Sequence, residues 1–247
     1  MAYESAFARV YDKFTENTDV AERANYLYSL LKRFGVPEGI LLDLACGTGA
    51  LSEAFIQKGY DVISVDLSYD MLMQARQRLS PYGGRALILE QDMRELDLFG
   101  TIRACVCNLD SINHLTDAAD VQRVFDRVSL FTEPGGVFLF DVNTVYKHKE
   151  VLGCNTFVYE DDADFLVWQN EYDPEDHTVQ MLIDIFSSDG NGGYIRESDE
   201  ITERAYPAGL LEKMLLTAGF SRVYQFGDLS EKEPDDKEQR IYFAAVK

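Results

Sequence analysis

Residues 40–55 place a short apolar run directly before a glycine turn and a helix-like segment, and this arrangement constrains the fold more than any other part of the chain. The run Ile-Leu-Leu-Asp-Leu-Ala at residues 40–45 is almost entirely apolar, as in a parallel strand that is covered on both faces. Gly47 and Gly49 follow, and because neither has a Cβ, the backbone can turn sharply there and approach a ligand closely. A strand, a glycine turn and a helix in this order predict the first unit of an α/β fold.

Strand-like and helix-like segments alternate after that first unit, and two helices are predicted before it, within residues 5–34. Alternation of this kind is typical of β-α-β units, in which helices cover both faces of a parallel sheet. We therefore predict a doubly wound, seven-stranded, mostly parallel sheet with a terminal antiparallel hairpin, and function at the carboxyl ends of its strands. The further predicted helices cover residues 50–58, 69–79 and 117–131, and the further strands cover residues 61–65, 86–90, 102–107, 137–142, 222–226 and 240–246.

The pattern changes near residue 155, where four β-rich runs follow one another without helices between them. In the third run, apolar side chains at positions 179, 181, 183 and 185 alternate with polar ones, as in a half-exposed antiparallel strand. We predict that residues 151–204 form an inserted antiparallel β lid. The main domain then consists of residues 1–150 and 205–247, with a helix that begins at Pro207 and is capped by Gly219.

Acidic side chains outnumber basic ones by 43 to 23, and the formal net charge is −20. Such a charge repels phosphate backbones and anionic lipids, so we expect no direct contact with nucleic acid and none with a membrane. The N-terminal residues show no secretory signal pattern and no apolar stretch reaches membrane-spanning length, which predicts a cytoplasmic protein. The four cysteines show no CxxC pairing, so we expect buried free thiols and no metal site.

The run LLDLACGTG at residues 41–49 resembles the nucleotide-loop motif, D-x-A/G-x-G-x-G, of class I S-adenosylmethionine-dependent methyltransferases. Within that class the chain is similar to small bacterial members that carry an inserted antiparallel sheet. The resemblance implies a Rossmann-like fold, S-adenosyl-L-methionine as cofactor and S-adenosyl-L-homocysteine as product. An NAD-dependent oxidoreductase is the disfavoured alternative, because Ser52 stands where a dinucleotide fold places a third glycine.

The resemblance also implies a set of cofactor contacts at successive strand ends. In that family the glycine loop passes the methionine portion and the ribose, and an acidic residue after the second strand binds both ribose hydroxyls, which assigns this role to Asp66. Met71 would pack on the adenine, and Asp92 would accept a hydrogen bond from the adenine amino group. The cofactor-binding residues predicted in this way are Tyr11, Asp43, Ala45, Gly47, Gly49, Asp66, Leu67, Met71, Gln91, Asp92, Met93, Asn108 and Asp110.

The fourth predicted strand ends in a polar segment at residues 108–114, where this family presents its substrate. His114 and Asp110 are the candidate general bases, a role that is needed only if the acceptor arrives protonated. The residues predicted to contact the substrate are Asn113, His114, Trp168 and Tyr206. For the two aromatic residues the alternative is that they fill the core of the small sheet, and some of the polar residues could instead cap the following helix.

The resemblance implies methyl transfer to a small-molecule oxygen or nitrogen acceptor by a monomer or homodimer. The chain contains no Pro-Cys pair and no Asn/Asp-Pro-Pro-Tyr/Phe motif, which mark methyltransferases of other acceptor classes. Residues 150–195 contain no Lys or Arg, so the insertion either favours a cationic acceptor or, as charge runs more often do, simply faces water. The alternative function is a non-catalytic regulator that binds S-adenosylmethionine or S-adenosylhomocysteine.

Overall fold

The structure is a computed structural model and describes residues 20–160 and 164–247. The first helix predicted within residues 5–34 lies outside these ranges, and the second is α1 below. The helices are α1 (Val20–Arg33), α2 (Ala50–Gln57), α3 (Tyr69–Leu79), α4 (Ala118–Phe131) and α5 (Ala208–Thr217). The strands are β1 (Ile40–Leu44), β2 (Asp61–Asp66), β3 (Ala86–Glu90), β4 (Ile102–Cys107), β5 (Thr132–Asn143), β6 (Thr156–Glu160), β7 (Asp164–Asp173), β8 (Thr178–Ser188), β9 (Tyr194–Arg204), β10 (Arg222–Phe226) and β11 (Arg240–Val246).

The main sheet has the strand order β10-β11-β5-β4-β1-β2-β3. Strands β1 to β5 pair in parallel, and β11 pairs antiparallel with both β5 and β10. The order of strands reverses between β1 and β4, and a crevice for ligands forms beside such a reversal at the carboxyl ends of the strands. The prediction of a doubly wound, Rossmann-like sheet with a terminal hairpin is confirmed.

The helices pack against both faces of this sheet, and each face has its own apolar layer. Successive side chains of a strand point to opposite faces, so neighbouring residues of one strand belong to different layers. On β4, Ala104 and Val106 face the layer that α1 and α2 cover, whereas Cys105 and Cys107 face the layer of α4 and α5. The four cysteines are free, and Cys154 is the exposed one among them. Among the described residues, no helix has both the length and the apolar character needed to cross a bilayer.

Strand β5 begins earlier than the prediction of residues 137–142. Thr132 pairs with Ile102, and regular pairing resumes only at Val137 and Ala104, so four residues of β5 bulge out between the two pairs. Pro134, Gly135 and Gly136 lie in this bulge, where Gly135 takes a φ of 80°. The pairing on the near side of the bulge was not predicted.

The inserted residues form a separate antiparallel sheet with the order β6-β7-β8-β9. The alternating apolar side chains of β8 are buried, as predicted. Asp184 on the opposite face is buried as well, because Arg196 and Ser198 donate hydrogen bonds to its carboxylate. A π-helix at Lys147–Leu152, which the sequence pattern did not predict, connects β5 to this sheet and packs Leu152 into the sheet's core.

The two glycines of the turn after β1 face different surroundings. Both take left-handed φ angles, 54° for Gly47 and 77° for Gly49. A Cβ at Gly49 would lie 3.1 Å from the Cβ of Ala75 on α3, whereas a Cβ at Gly47 would meet no atom within 4 Å. Gly49 is therefore required for the close approach of α2 to α3. At Gly47 the space that a Cβ would occupy is empty.

We expect Gly49→Ala to lower the free energy of unfolding by about 2–4 kcal/mol, because left-handed strain and overpacking against α3 add. Gly47→Ala is the matched control and carries only the conformational part, about 1–2 kcal/mol. Urea denaturation without ligand measures both losses. Equal losses in the two variants would contradict the packing role of Gly49.

Candidate active site

A cavity of about 710 Å³ opens at the carboxyl ends of β1, β2, β3 and β4. Helix α1 lines it with Arg23, and the inserted sheet lines it with Asp176, Thr178 and Thr202. The cavity therefore extends from the predicted cofactor loops to the predicted lid. The sequence-predicted residues that line it are Asp43, Ala45, Gly47, Asp66, Leu67, Met71, Gln91, Asp92, Met93, Asn108 and His114.

The buried carboxylate of Asp43 stabilises the turn after β1. The Ser52 hydroxyl on α2 donates to Oδ2 of Asp43 at 2.5 Å and lies 2.8 Å from the Ser64 hydroxyl on β2. Above this contact the backbone takes a left-handed conformation at Ala45, with a φ of 59°, which is rare for a residue with a side chain. Burial raises the pKa of Asp43 to about 7 even though the Ser52 hydrogen bond lowers it.

Asp66 ends β2 and joins two backbone turns around the cavity. Its Oδ2 accepts from the Gly47 amide at 2.8 Å, and its Oδ1 accepts from the Ser68 amide at 2.8 Å. Burial raises the pKa of this carboxyl, and both backbone hydrogen bonds oppose the rise. Ser68 is the N-cap of α3 and accepts from the Met71 amide, so capping is not the role of Asp66.

The loop after β3 is shaped by an arginine that sequence reasoning did not consider. Both oxygens of Asp92 accept from Arg94, whose Nη1 also lies 3.0 Å from Oδ2 of Asp120 on α4. The hydrogen bonds from Arg94 lower the pKa of Asp92, despite the opposing effect of burial. Gln91 accepts from and donates to the backbone of Asp97, which closes the loop.

The loop after β4 contains two left-handed residues, Leu109 and Asp110, whose φ angles are 55° and 54°. The buried Asp141 on β5 accepts from both of their amides, at 2.7 Å and 3.2 Å. Arg240 on β11 donates to Asp141 and, at 2.8 Å, to Asp110. Burial alone would raise the pKa of Asp110, but Arg240 and Lys147 outweigh it and hold that pKa well below its usual value.

Asn108 precedes these residues and carries an amide with unused hydrogen-bonding capacity. The residue is buried, and among the described residues neither its Nδ2 nor its Oδ1 has a hydrogen-bond partner. Both atoms belong to a residue that lines the cavity. Because an unpaired buried amide is costly, its position indicates a ligand that pairs with it.

Five predicted site residues do not line the cavity, and Tyr11 lies outside the described residues. Gly49 packs against α3, and Asp110 is engaged by Arg240. The Asn113 side chain donates to the carbonyls of Asn143 and Arg204, and the Tyr206 hydroxyl donates to the carbonyl of Leu115. Trp168 packs on Phe157 at a ring distance of 5.7 Å in the core of the small sheet. In the structure these five residues contact other parts of the fold and lie outside the lining of the cavity.

Arg23 lines the cavity but was not singled out from the sequence. Its guanidinium donates to the Tyr242 hydroxyl, and its Nε has no hydrogen-bond partner among the described residues. The sequence does carry a signal for it, since Arg23, Leu27 and Leu30 follow helical spacing and all three are buried. A charged residue on the apolar face of a helix is the pattern that would have found it.

A doubly wound sheet with a glycine turn after β1 and carboxylates after β2 and β3, all lining one crevice, defines the class I S-adenosylmethionine-dependent methyltransferases. The chain belongs to this family. A family model described as a methyltransferase domain matches residues 41–136. S-adenosylmethionine is the methyl donor of this family, and S-adenosylhomocysteine is its product.

Two proteins resemble the chain over nearly its whole length, and a third resembles it over about half. YqeM from Bacillus subtilis (strain 168), a methyltransferase by name, is 33% identical over 100% of this chain and 98% of its own. The crystal structure of an S-adenosylmethionine-dependent methyltransferase from Clostridium acetobutylicum ATCC 824 matches with a TM-score of 0.88 and 32% identity, over 98% of this chain and 97% of that one. A dTDP-3-amino-3,4,6-trideoxy-alpha-D-glucopyranose N,N-dimethyltransferase from Streptomyces venezuelae is 32% identical over 56% of this chain and 58% of its own.

We expect Asp43→Asn to change how stability depends on pH. Because the folded state raises the pKa of Asp43 to about 7, the native protein binds more protons than the unfolded chain between about pH 4 and pH 7. The contribution of Asp43 is therefore fully present below its ordinary pKa and is lost as pH rises through about 7. The Asn variant has no such loss, so its stability relative to wild type should rise by ~2 kcal/mol or more between pH 4.5 and pH 8. Urea denaturation at both pH values tests this, and a constant difference would refute it.

Proposed function

We propose that the protein transfers the methyl group of S-adenosylmethionine to the nitrogen of a small-molecule amine. The observation that carries this proposal is the charge of the cavity wall, where four carboxylates besides the buried Asp43 face two guanidinium groups, those of Arg23 and Arg94. A surplus of negative charge in a cleft favours cationic occupants, and the sulfonium of the cofactor and an ammonium acceptor are both cations. The four carboxylates are those of Asp66, Asp92, Asp120 and Asp176.

The residues at one end of the cavity fit the cofactor. Gly47 presents backbone without a Cβ, and Asp66 offers an oriented carboxylate for two ribose hydroxyls. Arg23 supplies a cation suited to a carboxylate such as that of the methionine portion. Asn108 offers an amide donor and acceptor that are otherwise unpaired. Gln91, Asp92 and Met93 complete this end after β3.

The other end of the cavity would hold the acceptor. When bound, S-adenosylmethionine supplies a methyl group on a positively charged sulfur, which is open to in-line displacement. The protein then has to align the acceptor nitrogen with that carbon and keep water away from it. An ammonium must lose a proton before it can attack, and His114, which lines the cavity, is the proposed proton acceptor.

The inserted sheet contributes to the acceptor end, because Asp176, Thr178 and Thr202 line the cavity. This favours the cationic acceptor over the alternative that the acidic insertion faces only water. The Streptomyces venezuelae relative is by its name an N,N-dimethyltransferase of an amino sugar, and another relative, from Homo sapiens, is named glycine N-methyltransferase. Both names designate amine acceptors, which supports the proposal.

Asp66→Ala should weaken the binding of S-adenosylmethionine by about 2 kcal/mol or more, because a charged hydrogen-bond partner of the ribose is lost. Isothermal titration calorimetry of the apoprotein measures the change. Asp61→Ala is the matched control, since Asp61 begins the same strand, pairs with Arg85 at the surface and does not line the cavity. Unchanged affinity in Asp66→Ala would remove the residue from the cofactor site.

An acceptor screen tests the reaction itself. The protein is incubated with S-adenosylmethionine and matched pairs of amines and alcohols, such as glycine with glycolate and a dTDP-amino sugar with its hydroxyl counterpart. S-adenosylhomocysteine is then quantified by mass spectrometry. We expect turnover of at least one amine to exceed that of its alcohol partner by about tenfold or more, because a site built for one hydrogen-bonding group rejects its analogue. Preferred turnover of the alcohols would contradict the amine assignment.

A further inference from the structure

A buried carboxylate lies where the inserted sheet meets the main sheet. Glu203 on β9 is 4% exposed and pairs in register with Val179, a residue of the small apolar core. Burying a carboxylate among apolar side chains is costly unless other groups satisfy it. The groups around Glu203 therefore indicate why a carboxylate occupies this position.

Glu203 lies between two imidazoles. Its Oε1 is 3.8 Å from Nε2 of His114, and its Oε2 is 3.4 Å from Nε2 of His148. The side-chain amide of Asn143 donates to Oε2 at 3.2 Å. His148 is fully buried on the π-helix, with Nδ1 lying 3.2 Å from the carbonyl of His177. Asn143 and His148 thus hold Oε2 of Glu203 in place, and Oε1 faces His114.

We propose that Glu203 is the positioning residue for His114, holding this imidazole in the cavity as the proton acceptor of the reaction; the proposal rests on the proposed function. A carboxylate facing Nε2 favours the tautomer with its proton on Nε2, which leaves the lone pair on Nδ1. The proton of an ammonium acceptor then passes to Nδ1, and the electron pair of the broken N–H bond stays on the nitrogen. The nearby negative charge stabilises the imidazolium that forms.

Other charged groups act on His114 as well, but each carboxylate among them is engaged elsewhere. Asp66 and Asp110 both interact electrostatically with His114. Asp66 is bound by two backbone amides and faces the proposed ribose site, and Asp110 is neutralised by Arg240, with Lys147 nearby. Glu203 lies within ion-pair distance of the imidazole itself.

Two neighbouring residues of β9 have different roles, since one lines the cavity and the other contacts His114. Thr202 lines the cavity, and Glu203, the next residue, points to the opposite face of the small sheet. Near the end of the sheet that face meets the π-helix and the loop after β4, where His148 and His114 lie. The insertion thereby contributes a residue that acts on the chemistry, in addition to covering the site.

Nuclear magnetic resonance of the imidazole groups tests the proposal without any acceptor. The chain has three histidines, so ¹⁵N-labelled imidazole spectra are simple, and His114→Asn identifies the signal of His114. We expect wild-type His114 to carry its proton on Nε2. In Glu203→Gln the fraction of His114 with its proton on Nε2 should fall by about twofold or more, because the carboxylate that faces Nε2 is lost. Glu200→Gln, an exposed change on the same strand, should leave this fraction unchanged.

Two results would overturn the proposal. One is a wild-type spectrum with the proton on Nδ1 of His114, which needs no variant and therefore does not depend on whether Glu203→Gln folds. The other is an unchanged fraction of the Nε2-protonated tautomer of His114 in folded Glu203→Gln. Neither measurement requires methyl transfer, so a failed acceptor screen would refute the proposed function and leave this result standing.

Kinetics with an amine from the screen supply the second test. Glu203→Gln should lower kcat by about tenfold or more while the Kd for S-adenosylmethionine changes less than about twofold, as for a residue that acts through a general base. The double variant with His114→Asn should be no slower than His114→Asn alone, because Glu203 acts through that imidazole. Additive losses would show that Glu203 contributes to stability and not to the position of His114.

Discussion

The hydrogen bond from the Ser52 hydroxyl to the buried Asp43 is the contact on which the rest of the site depends. It joins the end of β1 to the first turn of α2, and the Ser64 hydroxyl extends it to β2. With these three elements tied together, the chain between them must turn through left-handed conformations at Ala45 and Gly47. That turn directs the Gly47 amide to Asp66, so one buried carboxylate sets the direction of the next.

The parts of the site that could be predicted from the sequence are those in which local sequence determines local geometry. The turn at Gly47 and the carboxylate of Asp66 follow short apolar strands whose ends meet at one edge of the sheet, and their place in the cavity follows from that order. The family resemblance identified the ligand that such an arrangement binds. The strands and helices of the main sheet were predictable for the same reason, since buried strands are short apolar runs and the helices have apolar residues at helical spacing.

The remainder could not be predicted, because it depends on partners that are distant in the chain. Asp110 has the side-chain type and the sequence position of a ligand-binding residue. Only the folded structure shows that Arg240 donates a hydrogen bond to its carboxylate. Asn113 and Tyr206 likewise use their polar atoms on backbone groups of other elements. The π-helix that places His148 is too short to show a period, so the cluster around Glu203 had no signal in the sequence.

The contact between Arg240 and Asp110 also bears on how the protein matures. The two residues are separated by 130 positions, and the last strand must insert beside β5 before the guanidinium reaches the loop after β4. A nascent chain on the ribosome can thus fold the glycine turn early, while the opposite wall of its pocket still lacks the cation that shapes it. We therefore expect the chain to become able to bind a ligand only late in translation. A prematurely terminated chain would form the glycine turn but would not bind the ligand.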